Sequence, residues 1–191
     1  MHKLPWMKFC GYCGSQFAEQ GLARLCASCG NFTYASNKTA VVLSVPVWDN
    51  KSEKILGFIL SQRNIQPKKG EFCFVSGCQD FKEPIEITAA REFQEEILNN
   101  SLPNGGREYF IDPATIKLHG MELGAGGTIN LITTTCNGIS FNQWLDIINN
   151  FKPNEEVSQI KLVSEPTELA FEIQTKFLAE EIERYKLLGK L

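Results

Sequence analysis

The sequence has 191 residues, of which 43% are hydrophobic, and this is enough for one packed domain with a small appendage. Charged residues make up 21% of the chain with both signs mixed, a composition that argues against an intrinsically disordered protein. The formal net charge of −3 argues against a general nucleic-acid binder, because such proteins usually carry a basic face.

The N-terminal stretch MHKLPWMKF has no apolar run of signal-peptide length, and no later stretch is long enough to span a membrane. We therefore expect a cytoplasmic protein without membrane contact, in which cysteines stay reduced. The seven cysteines are an odd number, which does not suit a closed set of disulfides unless one is free or paired between chains.

Two C-x-x-C motifs lie near the N-terminus, CGYC at 10–13 and CASC at 26–29, and each is followed by a glycine. Four thiolates at this spacing can form a tetrahedral zinc site that holds residues 1–37 together as a small ribbon. Surface disulfides, a redox dithiol and an iron–sulfur cluster are the competing interpretations. The predicted zinc ligands are Cys10, Cys13, Cys26 and Cys29. Core packing is the expected role of Cys73, Cys78 and Cys136.

Residues 38–191 alternate strand and helix patterns. Two strands, TAVVLSVPVW and KILGFILSQR, are predicted around the turn DNKS, and a short strand EFCFV follows that Ser76 and Gly77 should end. A helix is predicted from Pro84 to about Leu98. Further strands are predicted at TIKLHGMEL, GTINLITTTC and QIKLVS, a short helix at FNQWLDIINN and a long final helix at TELAFEIQTKFLAEEIERYKLL. Mixed strands with helices between and after them indicate an α/β sandwich.

The predicted helix places three carboxylates on one edge. At about 100° per residue, Glu92, Glu95 and Glu96 fall within one arc, beside an apolar arc that can face a core. Like charges at these spacings repel, and each pair costs about 0.2–0.5 kcal/mol. A bound Mg²⁺ or Mn²⁺ would reverse that sign, since both ions prefer oxygen ligands. The competing interpretation is a solvated helix face that Arg91 partly neutralises.

The stretch GCQDFKEPIEITAAREFQEEIL, from Gly77 onward, resembles the Nudix box, the strand–loop–helix signature of hydrolases acting on nucleoside diphosphates linked to another group. Its spacing places a glutamate after five residues and an Arg-Glu pair after seven more, followed by an apolar residue, any residue and two glutamates. The matching positions are Gly77, Glu83, Arg91, Glu92, Phe93, Glu95 and Glu96. The chain departs from the family pattern at Ser76, Leu98 and Asn99.

This resemblance implies a Nudix-type α/β/α sandwich with a mixed sheet for residues 38–191. It implies Mg²⁺ or Mn²⁺ ligation by the carboxylates of Glu92, Glu95 and Glu96 and by the Gly77 carbonyl. A Glu83–Arg91 pair would brace the loop against the helix. The implied catalytic set is therefore Glu83, Arg91, Glu92, Glu95 and Glu96. Because none of the three departures is a metal ligand, we expect altered loop geometry rather than lost chemistry.

A four-cysteine ribbon before such a box is similar to the arrangement in ADP-ribose/FAD pyrophosphatases and NADH pyrophosphatases. The run from Arg63 through Pro67 and Gly70 to Phe72 resembles the former group, and the SQPWPFP-like segment of the latter is absent. The resemblance implies cleavage of ADP-ribose, FAD or an NADH-like nucleotide to AMP plus a second phosphate. Substrate contacts are expected at Arg63 and Phe72.

Two other functions compete with this expectation. A nucleoside triphosphate pyrophosphatase would use the same box, and a nucleotide-binding sensor or adaptor would bind without catalysis. The expected ligand is a small nucleotide, and in the sensor the ribbon would also contact a partner or nucleic acid, although its few basic residues argue against nucleic-acid binding. Many relatives are dimers, so a homodimer is one candidate assembly. Further candidates are Lys68 and Lys69 for phosphate contact, with a solvated loop as the competing interpretation, and Tyr34, Phe74 and Trp144 for base stacking, although core packing is the expected role of each aromatic residue taken alone.

Overall fold

The computed structural model describes residues 9–10, 12–17, 23–34, 38–80, 82–98, 106, 109–123 and 129–191. Within these ranges the chain forms a small two-stranded sheet, two larger mixed sheets and three α-helices. The small sheet pairs β1 (Ala23–Leu25) antiparallel with β2 (Phe32–Tyr34), close to the cysteine motifs. None of the described helices is long and apolar enough to cross a membrane.

Nine further strands build the two mixed sheets. They are β3 (Lys38–Ser44), β4 (Pro46–Trp48), β5 (Ile55–Arg63), β6 (Phe72–Cys73), β7 (Val75–Cys78), β8 (Lys117–Leu123), β9 (Ile129–Thr135), β10 (Ile139–Ser140) and β11 (Val157–Val163). One sheet has the order β7-β3-β9-β8, with β3 and β9 parallel. The other has the order β10-β4-β5-β11, with β6 also on β5 and with β10 parallel to β4. Only Val45 separates β3 from β4, so one apolar run supplies a strand to each sheet.

The helices cover both sides of these sheets. They are α1 (Ile85–Phe93), which continues into a π-helical turn (Gln94–Leu98), α2 (Phe141–Asn150) and α3 (Glu172–Leu187). Because successive strand residues point to opposite faces, Val41 packs in the core with α1 and α2 while Val42 packs in the core with α3. Ile59 and Leu60 divide in the same way. The predicted α/β/α sandwich is confirmed.

Three predicted boundaries differ from the structure. Ser76 and Gly77 do not end a strand: they lie inside β7, where pairing with Val42 and Val41 of β3 supplies their backbone partners. The helix predicted to reach Leu98 changes to π-helical geometry after Phe93. The last helix begins at Glu172, because the residues before it are extended along β6, where the Ala170 N–H donates to the Phe72 carbonyl. The bounds of α2 agree with the prediction.

Candidate functional site

Four cysteines converge at the two N-terminal C-x-x-C turns. The Sγ atoms of Cys10 and Cys29 are 3.7 Å apart, and those of Cys13 and Cys26 are 3.6 Å apart. A tetrahedral zinc–thiolate site with bonds of about 2.3 Å has sulfur–sulfur edges of about 3.8 Å, which these distances match. No disulfide joins these cysteines. All four sulfur atoms lie within 4.8 Å of one another, which is compact enough for them to hold one metal ion.

The two turns share one backbone design. The N–H groups of Gly14 and Gly30 donate to the carbonyls of Cys10 and Cys26 over 2.9 and 2.8 Å. Both glycines have φ near +70°, a conformation that disfavours side chains. The Tyr12 N–H points at the Cys10 sulfur at 3.4 Å. The local sequence thus forms the turns that bring four sulfur atoms to one point.

A second cluster contains carboxylates from two distant parts of the chain. Glu92 and Glu96 lie one helical turn apart at the C-terminal end of α1, and Glu156 comes from the loop before β11. One carboxylate oxygen of each lies within 4.8 Å of the others. Glu92 and Glu96 are only 6% and 5% exposed, whereas Glu156 is exposed. Beside them is a cleft of about 240 Å³ lined by Glu95, Glu96, Asn154, Glu155 and Glu156.

Burial perturbs the two helical members of this acidic cluster. It raises the pKa of Glu96 to about 8, and the neighbouring charge of Glu92 adds to the effect. It also raises the pKa of Glu92 to about 7, although the Arg91 charge opposes the shift. Both carboxylates resist ionisation although Arg91 Nη1 lies 2.7 Å from Glu92, and their hard oxygen atoms suit Mg²⁺ or Mn²⁺. The donor set therefore fits the divalent cation that the sequence implied.

Arg91 connects the helix to the loop that precedes it. Its Nε and Nη2 donate to the two carboxylate oxygens of Glu83 over 2.9 and 3.0 Å, and Nη2 also donates to the Cys78 carbonyl. The Thr88 hydroxyl donates to Glu83 over 2.9 Å. The Arg91 bonds are the main cause that lowers the pKa of Glu83 to about 2. This bidentate ion pair is the arrangement expected for a brace.

Glu95 lies on a different edge of the helix from its neighbour. Its side chain is 59% exposed, and its carboxylate accepts a hydrogen bond from Arg91 Nη1 over 2.8 Å. The same Nη1 also donates to Glu92 over 2.7 Å. Arg91 and Glu95 are four residues apart, as are Glu92 and Glu96, so two adjacent pairs run along the helix. Among the described residues, the structure therefore groups Glu156, and not Glu95, with Glu92 and Glu96.

Strands β5 and β7 form the floor of the acidic cluster. A Cβ on Gly77 would lie 2.0 Å from the Glu92 carboxyl group, so only glycine fits there without a shift of that side chain. The Ser61 hydroxyl donates to Glu96 over 3.2 Å, and the Ser76 N–H approaches the other oxygen of Glu96 at 3.4 Å. Residues of these two strands thus contact the Glu92 and Glu96 carboxylates from below.

The predicted substrate contacts lie at the neighbouring end of β5. Arg63 donates through Nε to the Pro67 carbonyl over 2.7 Å, and its guanidinium lies 5.2 Å from the Phe171 ring centroid. Phe72 is half-buried, with Lys161 Nζ 3.7 Å from its ring centroid. Each side chain is one half of a cation–aromatic contact, and Phe72 packs against the core that contains α3 residues rather than the one that contains α1 residues.

Other sequence candidates have different surroundings. Phe74 is fully buried and Trp144 is 4% exposed, so both belong to the cores and cannot stack on a base. Lys68 and Lys69 are exposed in the loop after β5, and Lys68 pairs with Glu71 over 3.3 Å. The Tyr34 side chain and Asn99 lie outside the described residues.

Glu156 was not found by sequence reasoning. Its signal was the acidic pair in NEEV directly before a predicted strand. What places it at the helix is the pairing of β5 with β11, which sets Val157 opposite Arg63.

No family model and no curated protein matches the sequence. Solved structures do match. A NUDIX hydrolase from Nitrosomonas europaea is 19% identical with a TM-score of 0.50, over 94% of this chain and 93% of that one. The NUDIX domain of Shewanella oneidensis NrtR, complexed with ADP ribose, is 16% identical with a TM-score of 0.50, over 78% and 88%.

A third match is a bifunctional NMN adenylyltransferase/ADP ribose pyrophosphatase from Francisella tularensis, complexed with AMP and a manganese ion. It is 17% identical with a TM-score of 0.52, and the alignment covers 78% of this chain and 42% of that one. These likenesses concern architecture, and they agree with the order of sheets and helices described above. The chain has the Nudix hydrolase fold.

Proposed function

We propose that the protein is a metal-dependent pyrophosphohydrolase that cleaves a nucleoside diphosphate linked to another group. The observation that carries this proposal is the convergence of Glu92, Glu96 and Glu156 beside the Glu83–Arg91 brace. ADP-ribose, FAD or an NADH-like dinucleotide is the proposed substrate, and AMP plus a second phosphate are the products. The ADP ribose pyrophosphatase among the similar structures, which holds AMP and manganese, supports this substrate class.

Each residue of the site has a proposed role. Glu92, Glu96 and Glu156 would hold Mg²⁺ or Mn²⁺, and Glu95 and the Gly77 carbonyl would complete the ligand set from the rim and the floor. When bound, such a cation neutralises the charge of the bridging phosphate oxygens and lowers the pKa of a coordinated water.

The remaining residues position the helix and the substrate. The ion pair between Arg91 and Glu83 would hold the acidic helix (α1 with its π-helical turn) in a fixed position against the preceding loop. As the exposed member of the acidic cluster, Glu156 can also accept a proton from the attacking water at its carboxylate. Arg63 would donate to the substrate phosphates, and Phe72 would pack against the nucleoside.

We also propose that residues 1–37 form a ribbon around one structural zinc held by Cys10, Cys13, Cys26 and Cys29, followed by the catalytic domain at 38–191. The sulfur–sulfur distances support a closed site with four thiolate ligands. A closed site leaves no position for a substrate, which is the pattern of structural zinc.

A nucleotide sensor without catalysis is the second candidate function. The likeness to the NrtR domain, which was solved with ADP ribose bound, favours a nucleotide ligand but does not require turnover. The complete set of box carboxylates and the bidentate brace favour the enzyme, because a sensor needs neither.

Product analysis separates these functions. The protein is incubated with Mg²⁺ or Mn²⁺ and with ADP-ribose, FAD, NADH or a nucleoside triphosphate, and the products are resolved by chromatography. We expect AMP from ADP-ribose, FAD or NADH, and loss of that activity in Glu96→Gln but not in Glu183→Gln, an exposed glutamate on α3. Pyrophosphate released from a triphosphate would overturn the substrate class. Tight binding of ADP-ribose with no product would establish the sensor instead.

A further inference from the structure

Asn154 joins the two parts of the chain that form the acidic cluster. Its Oδ1 accepts hydrogen bonds from the backbone N–H groups of Glu156 and Val157 over 2.9 and 2.7 Å. Its Nδ2 donates to the backbone carbonyls of Glu95 and Glu96, each over 3.3 Å. One side chain therefore contacts the loop that carries Glu156 and the helical turn that carries Glu96.

The two halves of this interaction differ in kind. The bonds to Glu156 and Val157 are local, since an asparagine often accepts from backbone N–H groups two or three residues ahead in a turn. The bonds to Glu95 and Glu96 span 59 and 58 residues of sequence. They reach carbonyls in the π-helical turn Gln94–Leu98. A residue needed only for the turn would not require these distant contacts.

Asn64, directly after β5, holds the same loop from the other side. Its backbone N–H donates to the Glu156 carbonyl over 2.7 Å, and its Nδ2 donates to the Asn154 carbonyl over 2.9 Å. The N–H and the C=O of Glu156 are thus both fixed, one by each asparagine. Although the Glu156 side chain is exposed, its backbone has little freedom.

We propose that Asn154 is a positioning residue that sets the place of Glu156 relative to Glu96, and through it the affinity of the acidic cluster for a divalent cation. This inference rests on the proposed function, because it assumes that the carboxylates bind a cation. It adds that the loop carrying the third ligand is tied to the acidic helix by the side-chain hydrogen bonds of Asn154. Loss of residues that orient metal ligands typically weakens metal binding by about 10–100-fold.

The test uses two variants and a matched control in the full-length protein. Asn154→Ala removes every side-chain bond. Asn154→Ser retains a hydroxyl that can accept from the turn but cannot reach the helix carbonyls. Asn150→Ala is the control, because Asn150 is an exposed asparagine whose Nδ2 donates locally, to the Asp146 carbonyl over 2.8 Å. Mn²⁺ affinity is measured by isothermal titration, and amide hydrogen exchange of residues 151–160 is measured without metal.

We expect about tenfold weaker Mn²⁺ binding in both Asn154 variants, with parental affinity in the control. Exchange of the Glu156 and Val157 amides should accelerate strongly in Asn154→Ala and less in Asn154→Ser. If Asn154→Ser bound Mn²⁺ with parental affinity, the side chain would be needed only for the turn, and the inference would be overturned. So would unchanged exchange in metal-free Asn154→Ala, a result that does not depend on any cation. If the parental protein binds no Mn²⁺, the proposed function fails, and the metal role of Asn154 fails with it.

Discussion

Glu95 and Glu96 are neighbours in sequence, yet their carboxylates have different surroundings. Glu95 is solvated and paired with Arg91, so its charge costs little in the metal-free protein. Glu96 is buried beside Glu92 and Glu156 and is supported by the Ser61 hydroxyl and the Ser76 N–H. A buried charge in such a place is costly unless a cation compensates it. The two residues therefore differ in what their removal should do to stability.

Replacing Glu96 with Gln should separate stability from metal binding. The change removes a proposed ligand, so we expect Mn²⁺ affinity to fall by at least tenfold. It also removes a buried charge, so metal-free stability at pH 8 should stay level or rise. Glu95→Gln is exposed and should leave metal-free stability within about 0.5 kcal/mol of the parent. Chemical denaturation with a chelator and isothermal titration measure both quantities, and parental Mn²⁺ affinity in Glu96→Gln would contradict the assignment.

The raised pKa values of Glu92 and Glu96 predict a pH dependence. The values of about 7 and about 8 in the folded state exceed the value of about 4.3 for an unfolded glutamate. The folded protein thus binds more protons than the unfolded chain between these values, and its metal-free stability should fall as pH rises from about 5 to 8. Melting temperatures across this range, in chelator, should decline in the parent and decline less in Glu96→Gln. A parental melting temperature that rises with pH would contradict this interpretation.

The predictability of these residues depended on how far apart they lie in the chain. Glu83, Arg91, Glu92 and Glu96 share one motif, and helical spacing alone puts the last two on one face. In sequence, β8, β9, β10 and α2 lie between Glu96 and Glu156, so predicting that Glu156 lies beside Glu96 requires knowledge of strand pairing. Glu95 lines the same cleft as Glu96, and its pairing with Arg91 follows from their four-residue spacing, but spacing does not specify that Glu156 rather than Glu95 joins Glu92 and Glu96.

At the scale of elements, α1 packs closely against β7 at Gly77. Gly77 pairs with Val41 in the sheet and lies directly against Glu92 of α1. The sequence predicted a strand break here, but glycine serves packing instead: it lets the helix approach the strand. The length of β7 follows from its pairing with β3, a long-range contact that local composition does not show.

Gly77→Ala should therefore displace Glu92. The added Cβ would lie 2.0 Å from its carboxyl group, and we expect weaker Mn²⁺ binding while the fold is retained. Gly120→Ala is the matched control, because a Cβ there would meet only the Thr133 hydroxyl, at 3.4 Å. Both variants are compared by Mn²⁺ titration and circular dichroism. Equal Mn²⁺ affinity in the two variants would show that the Glu92 position is not set by this contact.

The ribbon offers a second prediction at this scale. Protein purified without added metal should contain one zinc per chain, because four thiolates at these distances form a closed site. Cys26→Ser should lower the zinc content and loosen the β1–β2 ribbon, since such sites couple metal binding to folding. Elemental analysis and thiol titration measure this. Iron in place of zinc, or four thiols that titrate freely without metal, would contradict the assignment.

At the scale of the whole molecule, the fold contains two hydrophobic cores. Alternation along β3 and β5 sends Val41 and Ile59 toward α1 and α2, and Val42 and Leu60 toward α3. This alternation and the helical periodicity made the sandwich predictable from sequence. Sheet order was less accessible, because the parallel pairing of β3 with β9 joins segments about ninety residues apart.

The most direct test of the proposed pyrophosphohydrolase is the rate of AMP formation from ADP-ribose as Mg²⁺ is titrated. We predict a rate that saturates with Mg²⁺, returns to the uncatalysed level in chelator, and falls by orders of magnitude in Glu96→Gln while Glu183→Gln keeps the parental rate. AMP formation that persists in chelator, or that is equal in parent and Glu96→Gln, would contradict the central claim that this acidic cluster is a metal-dependent hydrolytic site.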